Sequence, residues 1–319
     1  MRILFFGTSS FALPALQALR DSGPRHEILA VVTQPDRPSG RGLKAHASPV
    51  KELALAFGYR ILQPERVRLK PFPDEAAALS ADVLVVVSFG QIIPRRMLEQ
   101  PRFGGVNVHA SLLPRWRGAA PIHHALIAGD TETGVATMRM EATLDTGPTF
   151  LVAREPIRSD DTVDSLGSRL AALGGDLIVR TLDALEAGTL AESPQPSEGM
   201  TYASPVTRAD GLLDPSRQSA VEMERRIRGT SPRPGAFIAV AGRNLRVLAA
   251  STDVGDEWSE LPPGRVVATN RDGVLVSTAG NGTLLLRRVQ AENKAPMAAA
   301  DWARGARVMA GDPVSAPDP

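Results

Sequence analysis

Ile3-Leu4-Phe5-Phe6-Gly7-Thr8-Ser9-Ser10 sets four large apolar residues directly before a glycine turn, and a helical pattern from Phe11 to Asp21 follows it. A short apolar run followed by a longer helical pattern reads as one strand-and-helix unit of a mainly parallel sheet. The same alternation continues to about Gly188. Strands are expected at Ile3 to Phe6, Ile28 to Thr33, Asp82 to Ser88 and Val106 to His109. Helices are expected at Phe11 to Asp21, Pro49 to Phe57, Ala119 to Ala128 and Val163 to Ala187. Such βα units place residues 1–188 in an α/β class, as a Rossmann-like domain with a mainly parallel sheet. The first turn lacks the Gly-x-Gly-x-x-Gly spacing, and no acidic residue closes the second strand, so a bound NAD is disfavoured.

Beyond Gly188 the character changes. Residues 189–208 carry Ser193, Pro194, Pro196, Ser197 and Gly199, which cannot hold a regular helix and read as a linker. Residues 209–319 show short, closely spaced strand signals at Ala236 to Val240, Asn244 to Ala249, Gly264 to Ala268, Val274 to Ser277 and Thr283 to Arg288. With Gly, Asn or Asp at the breaks, they predict a small OB-like β-barrel. A length of 319 residues suits two domains. Lys plus Arg number 36 against 35 Asp plus Glu, so global charge selects no partner. The chain has no cysteine, which removes disulfides, thiolate nucleophiles and Cys-ligated metal sites and suits a reducing compartment. No secretory leader and no membrane span are expected, which makes a cytoplasmic protein the default.

The residues richest in chemistry lie in Gly104 to Pro121. Asn107 and His109 are two apart at a strand end, so the period of two turns both side chains to one face, at the sheet edge where α/β folds bind ligands. An amide NH2 can donate to a developing oxyanion, and imidazole exchanges protons near neutrality. Taken alone, a lone histidine is more often a satisfied structural residue. Asp145, in Leu144-Asp145-Thr146-Gly147-Pro148, is the best carboxylate partner for His109, although an aspartate in such a turn can simply cap it. His123 and His124 are adjacent on a helix and point apart, and no His and carboxylate cluster has metal-ligand spacing, so no metal is expected.

Charge is uneven locally. Gln34 to Lys51 holds Arg37, Arg41, Lys44 and Lys51 against Asp36 alone, and Arg225, Arg226, Arg228, Arg233, Arg243 and Arg246 follow one another with no acid between them. Both features suit a phosphate-tracking surface, the second as a stripe on the barrel, though solvated arginines are the plainer alternative.

Asn107-Val108-His109-Ala110-Ser111-Leu112-Leu113-Pro114 with Arg115-Trp116-Arg117-Gly118-Ala119-Ala120-Pro121 resembles the signature of formyltransferases that use 10-formyltetrahydrofolate, in the form found in the methionyl-tRNA formyltransferase family. Phe6 to Ala12 resembles that family's opening turn, Pro35 to Gly42 its acceptor-stem loop, and Asp145-Thr146-Gly147 its catalytic turn. Arg226-Ile227-Arg228, Pro232 to Phe237 and Gln290 to Met297 resemble its C-terminal segments, so the likeness spans nearly the whole chain. After Tyr202-Ala203 the family usually continues with lysines and acids and ends in Asp-Trp, where this chain has Ser204-Pro205 and Asp214-Pro215.

The resemblance implies a formyltransferase domain followed by an OB-like tRNA-binding domain. It implies Asn107, His109 and Asp145 as the catalytic trio, with the folate held near Ser111, Leu112, Leu113 and Pro114. The activity implied is transfer of formyl from 10-formyltetrahydrofolate, as donor co-substrate, to the α-amino group of methionyl initiator tRNA. Arg37, Arg41, Lys44, Arg225 and Arg228 are then expected at the tRNA, and a monomer is expected. The rivals are a sugar-nucleotide formyltransferase, a 10-formyltetrahydrofolate hydrolase, and a non-catalytic nucleic-acid binder on a dead scaffold.

Overall fold

The computed structural model describes residues 1–39, 44–252 and 261–317. These form two compact units, one of residues 1–121, 132–156 and 167–203, the other of 122–131, 157–166 and 204–319.

The first unit opens with β1 (Arg2–Gly7), α1 (Leu13–Asp21), β2 (Glu27–Val32), β3 (Arg37–Ser39), β4 (Lys44–His46), α2 (Pro49–Ala56) and β5 (Ile61–Leu62). It continues with α3 (Phe72–Ala78), β6 (Val83–Val87), α4 (Arg95–Leu98), β7 (Gly105–His109) and β8 (Arg117–Gly118). Then come α5 (Pro121–Ala128), β9 (Glu132–Arg139), β10 (Thr149–Pro156), α6 (Val163–Glu186) and β11 (Tyr202–Ala203). All but the first residue of α5 and the first turn of α6 belong to the other unit.

Seven strands form one sheet in the order β10-β9-β7-β6-β1-β2-β5. β5, β2, β1, β6 and β7 run parallel, while β9 runs antiparallel to both its neighbours, β7 and β10. The apolar runs explain the centre: Ile3, Leu4, Phe5 and Phe6 of β1 and Val83, Val85 and Val87 of β6 are fully buried, as a strand covered on both faces requires. Phe6 meets the rings of Phe72 and Phe89 edge-on, tying β1 to the segments after β5 and β6. In the polar segment after β2 the described residues of β3 and β4 pair antiparallel, Arg37 with His46.

The second unit adds α7 (Ala220–Thr230), β12 (Ala236–Val240), β13 (Arg243–Ser251), β14 (Val266–Asn270), β15 (Gly273–Ser277), β16 (Thr283–Ala291), β17 (Met297–Ala298), α8 (Ala299–Ala306) and β18 (Val314–Ser315). Its antiparallel sheet has the order β14-β15-β16-β13-β12-β18, with β17 beside β16. A bridge from Arg265 to Pro313, with Val314 N–H donating to Gly264 O at 2.8 Å, joins the last strand to the first. The sheet therefore closes on itself, which removes its free edges and gives the barrel expected from the spacing of short strands. Ile238, Val240, Val247, Val274, Val276, Leu284 and Leu286 fill it, with Met223 and Ile227 of α7 packed in the same cluster. Helix α7 is a departure from the barrel stripe read in the sequence, since Arg225, Arg226 and Arg228 stand on it and only Arg243 and Arg246 lie on a strand.

Candidate active site

β7 ends at His109, and its alternation carries Asn107 and His109 to one face. Both meet one carboxylate. Asn107 Nδ2 donates to Asp145 Oδ1 at 3.4 Å, and His109 Nδ1 stands 3.7 Å from Asp145 Oδ2. His109 Nε2 lies 2.9 Å from the carbonyl oxygen of Trp116, which can only accept, so this nitrogen carries a proton. The imidazole thus has one edge anchored to backbone and the other turned to Asp145. The two side chains are only 6% and 10% exposed, so a small window of the pair faces solvent.

Asp145 belongs to the connection between β9 and β10, which folds back over β7. Its φ is 52°, a left-handed conformation that a non-glycine residue keeps only where its surroundings hold it. Gly147 makes the turn possible, because a Cβ there would run into the carbonyl of Arg139. The second carboxylate oxygen, Oδ2, accepts the N–H of Gly118 at 2.8 Å. One carboxylate therefore receives a side-chain amide, a backbone amide and the edge of an imidazole.

Ser111 is buried, and its hydroxyl donates to Arg115 O at 2.6 Å, closing the turn that contains Leu112, Leu113 and Pro114. Those three are half-buried, with a Leu112 methyl set where Gly134 has no side chain. The guanidinium of Arg115 lies 4.3 Å over the Trp116 ring.

Within residues 189–208, the stretch from Ser193 to Ala203 lies against the strands of the first unit. Thr149 and Ser193 exchange backbone hydrogen bonds, and β11 pairs in parallel with β8, so Tyr202 and Ala203 lie along Arg117 and Gly118. Thr201 Oγ1 accepts from Trp116 N–H, and Ala203 O accepts from the N–H groups of Ala119 and Ala120. Gln195 bonds both Arg117 and the Asp145 turn. The polar composition hid this strap. Only Pro194 and Pro196, which fix the backbone beside Gln195, hinted at an ordered segment.

The basic positions fall into different settings. Arg37 is exposed at the start of β3. Lys44 lies in β4, and Arg41 lies outside the described residues. Lys51 is paired with Asp36 at 2.6 Å, and that hydrogen bond, followed by one from Gln63, holds the Asp36 carboxyl below its usual range. Arg225 lies over Gly129 and donates to Ala128 O, while Arg228 bonds Glu224 at 2.5 Å and Asp161 O at 3.1 Å. Arg226 and Arg243 likewise donate to the carbonyls of Asp210 and Ala306. Burial lowers the imidazole pKa of His123, against a hydrogen bond with the Arg233 backbone. Among the described residues no group of three or more His, Asp or Glu could hold a metal ion, and no helix is long and apolar enough to cross a membrane.

Residues 1–182 match the profile described as formyl transferase, and residues 205–307 match that described as formyl transferase, C-terminal domain. A methionyl-tRNA formyltransferase of Halorhodospira halophila is 45% identical, over 98% of this chain and 99% of that protein. One of Myxococcus xanthus is 46% identical, over 97% and 96%. Among solved structures, the sugar 3N-formyl transferase WlaRD, in the presence of dTDP and 5-N-formyl-THF, matches with a TM-score of 0.67 at 15% identity, over 92% of this chain and 99% of that one. HypX from Aquifex aeolicus, in complex with tetrahydrofolic acid, matches with a TM-score of 0.61 at 17% identity, and this chain spans 47% of its length. Identities that low establish a shared fold alone. The near-full-length relatives go further: with a carboxylate, an amide and an imidazole gathered at the end of β7, the chain belongs to the formyl transferase family, among the methionyl-tRNA formyltransferases.

Proposed function

We propose that this protein transfers the formyl group of 10-formyltetrahydrofolate to the α-amino group of methionyl initiator tRNA, giving N-formylmethionyl-tRNA for translation initiation. The carrying observation is the placement of Asp145 against both Asn107 and His109. The amine attacks the formyl carbon, a new C–N bond forms, and the carbonyl becomes an oxyanion. Asn107 Nδ2 and the imidazole of His109 in its charged form stabilise that oxyanion. Asp145 orients the imidazole and passes the proton lost by the amine, directly or through water, toward N10 as the C–N10 bond breaks and tetrahydrofolate leaves. The scheme calls on no metal ion.

In this reading residues 1–188 are the catalytic domain, 189–208 the connection and 209–319 the tRNA-binding domain. Ser111, Leu112, Leu113 and Pro114 border the folate, and Ser111 serves by fixing the loop, since its hydroxyl is committed to Arg115 O. Arg37, Arg41, Lys44, Arg225 and Arg228 serve the tRNA, and the protein works as a cytoplasmic monomer. The test is formylation of charged initiator tRNA with 10-formyltetrahydrofolate, beside free methionine, an amino-sugar nucleotide and water as acceptors. Transfer to the tRNA alone is expected. Preferential transfer to the sugar, or donor hydrolysis without acceptor, would replace this reading by one of its folate-dependent rivals.

A further inference from the structure

Gln195 stands between Pro194 and Pro196 and is the one residue of 191–200 that is not exposed. Its side chain joins two parts of the site. Nε2 donates to Asp145 O at 2.9 Å and to Gly147 O at 2.7 Å, while Oε1 accepts from Nε and Nη2 of Arg117 at 3.0 and 2.7 Å. These partners fix the amide's orientation, because a guanidinium only donates and carbonyls only accept. Arg117 is itself buried, and it directly precedes Gly118, whose N–H holds the Asp145 carboxylate. The amide thus binds the backbone of Asp145, in its left-handed conformation, to the strand that supplies a donor to its side chain. Thr146 lies between the two carbonyls it grips, so the whole turn is held at one point.

We infer that Gln195 is a positioning residue for Asp145, keeping its turn where the carboxylate meets Asn107, Gly118 and His109. The inference rests on the role proposed for Asp145. Displacing a reacting group by about 1 Å can cost roughly a hundredfold in rate, so a defect confined to turnover is the expected signature.

The test uses the full-length enzyme with Gln195→Met, which removes both hydrogen-bonding ends, and Gln195→Glu, which keeps an acceptor for Arg117 but sets an oxygen against two carbonyls. Each is made alone and with Asp145→Asn, and single-turnover formylation, KM for both substrates and Tm are measured. Alone, each change is expected to lower the rate by about 10- to 100-fold with both KM values held within about threefold. In the Asp145→Asn background the same changes should cost less than about threefold, because groups acting as a unit are not additive. Equal losses in the two backgrounds, a raised KM at unchanged rate, or no loss in a folded variant would each overturn the positioning role. Gln195→Glu carries the test if Gln195→Met fails to fold. Wild-type turnover in Asp145→Asn alone would instead overturn the reading of the site itself.

Discussion

Asp145 draws its partners from separate places in the chain: the Asn107 amide of β7 and the Gly118 N–H of β8 donate to it, and the His109 imidazole at the end of β7 stands beside it. A carboxylate so held cannot turn away, yet its 3.7 Å distance from His109 leaves room for the pair to tighten when substrate arrives, as acid–base sites often do. His109→Ala and Asp145→Ala are each expected to lower kcat by about a hundredfold to ten-thousandfold, the usual range for a general acid or base. Asn107→Ala is expected to cost roughly a hundredfold to a thousandfold, as for an oxyanion donor. Circular dichroism and Tm should stay close to wild type, and near-normal turnover by a folded His109→Ala enzyme would remove it from the reaction. Asn107 and His109 were legible because strand periodicity forces them to one face, and Asp145 because glycine and proline mark its turn. Gln195 was not legible. It acts across 50 residues through a side chain, and no local period connects it to Asp145.

At the scale of elements, apolar runs betrayed the strands while charge concealed a helix. β1 and β6 declare themselves because every residue from Ile3 to Phe6 and from Val83 to Val87 is apolar. Helix α7 buries Ala220, Met223 and Ile227 at helical spacing, but its arginines drew attention to phosphate instead. The better signal was Ser219-Ala220-Val221-Glu222, a capping box in which Ser219 Oγ accepts from Glu222 N–H and the Glu222 carboxylate accepts from Ser219 N–H at 2.7 Å. The bond from the Ser219 backbone, then that from its hydroxyl, lowers the Glu222 pKa. A carboxyl whose folded pKa is depressed contributes stability above its unfolded pKa, and that contribution is lost as pH falls through the folded value. Ser219→Ala is expected to destabilise the protein by about 0.5 to 2 kcal/mol at neutral pH. Urea titrations at pH 7 and pH 3 check this, and the difference between wild type and variant should shrink at the lower pH. An equal difference at both would mean that the bond from the Ser219 hydroxyl to the Glu222 carboxylate adds nothing to the cap, since the bond from the residue 219 backbone N–H is kept in the variant.

For the whole molecule, the chain passes between its units after Pro121, Thr131, Pro156, Leu166 and Ala203, so no single cut separates them. A cut near Gly199 would also remove Thr201 and Ala203, which hold Trp116, Ala119 and Ala120. Division of labour is therefore better tested by charge changes in the intact protein, where each neutralised phosphate releases counterion and steepens the dependence of affinity on salt. Arg37 is exposed, whereas Arg228 spends its guanidinium on Glu224 and Asp161 O, so the two should differ although both are proposed to serve the tRNA. If Arg37 contacts a phosphate, Arg37→Ala should weaken tRNA binding, lower the slope of log affinity against log salt by about 1, and leave donor binding and Tm unchanged. Arg228→Ala should lower Tm first, because it leaves the partly buried Glu224 carboxylate without its cation. Binding isotherms at several salt concentrations, beside melting curves, separate these outcomes. An unchanged slope in Arg37→Ala would withdraw that residue from the phosphate contacts, and a lowered slope with unchanged Tm in Arg228→Ala would show that its ion pair opens to the nucleic acid.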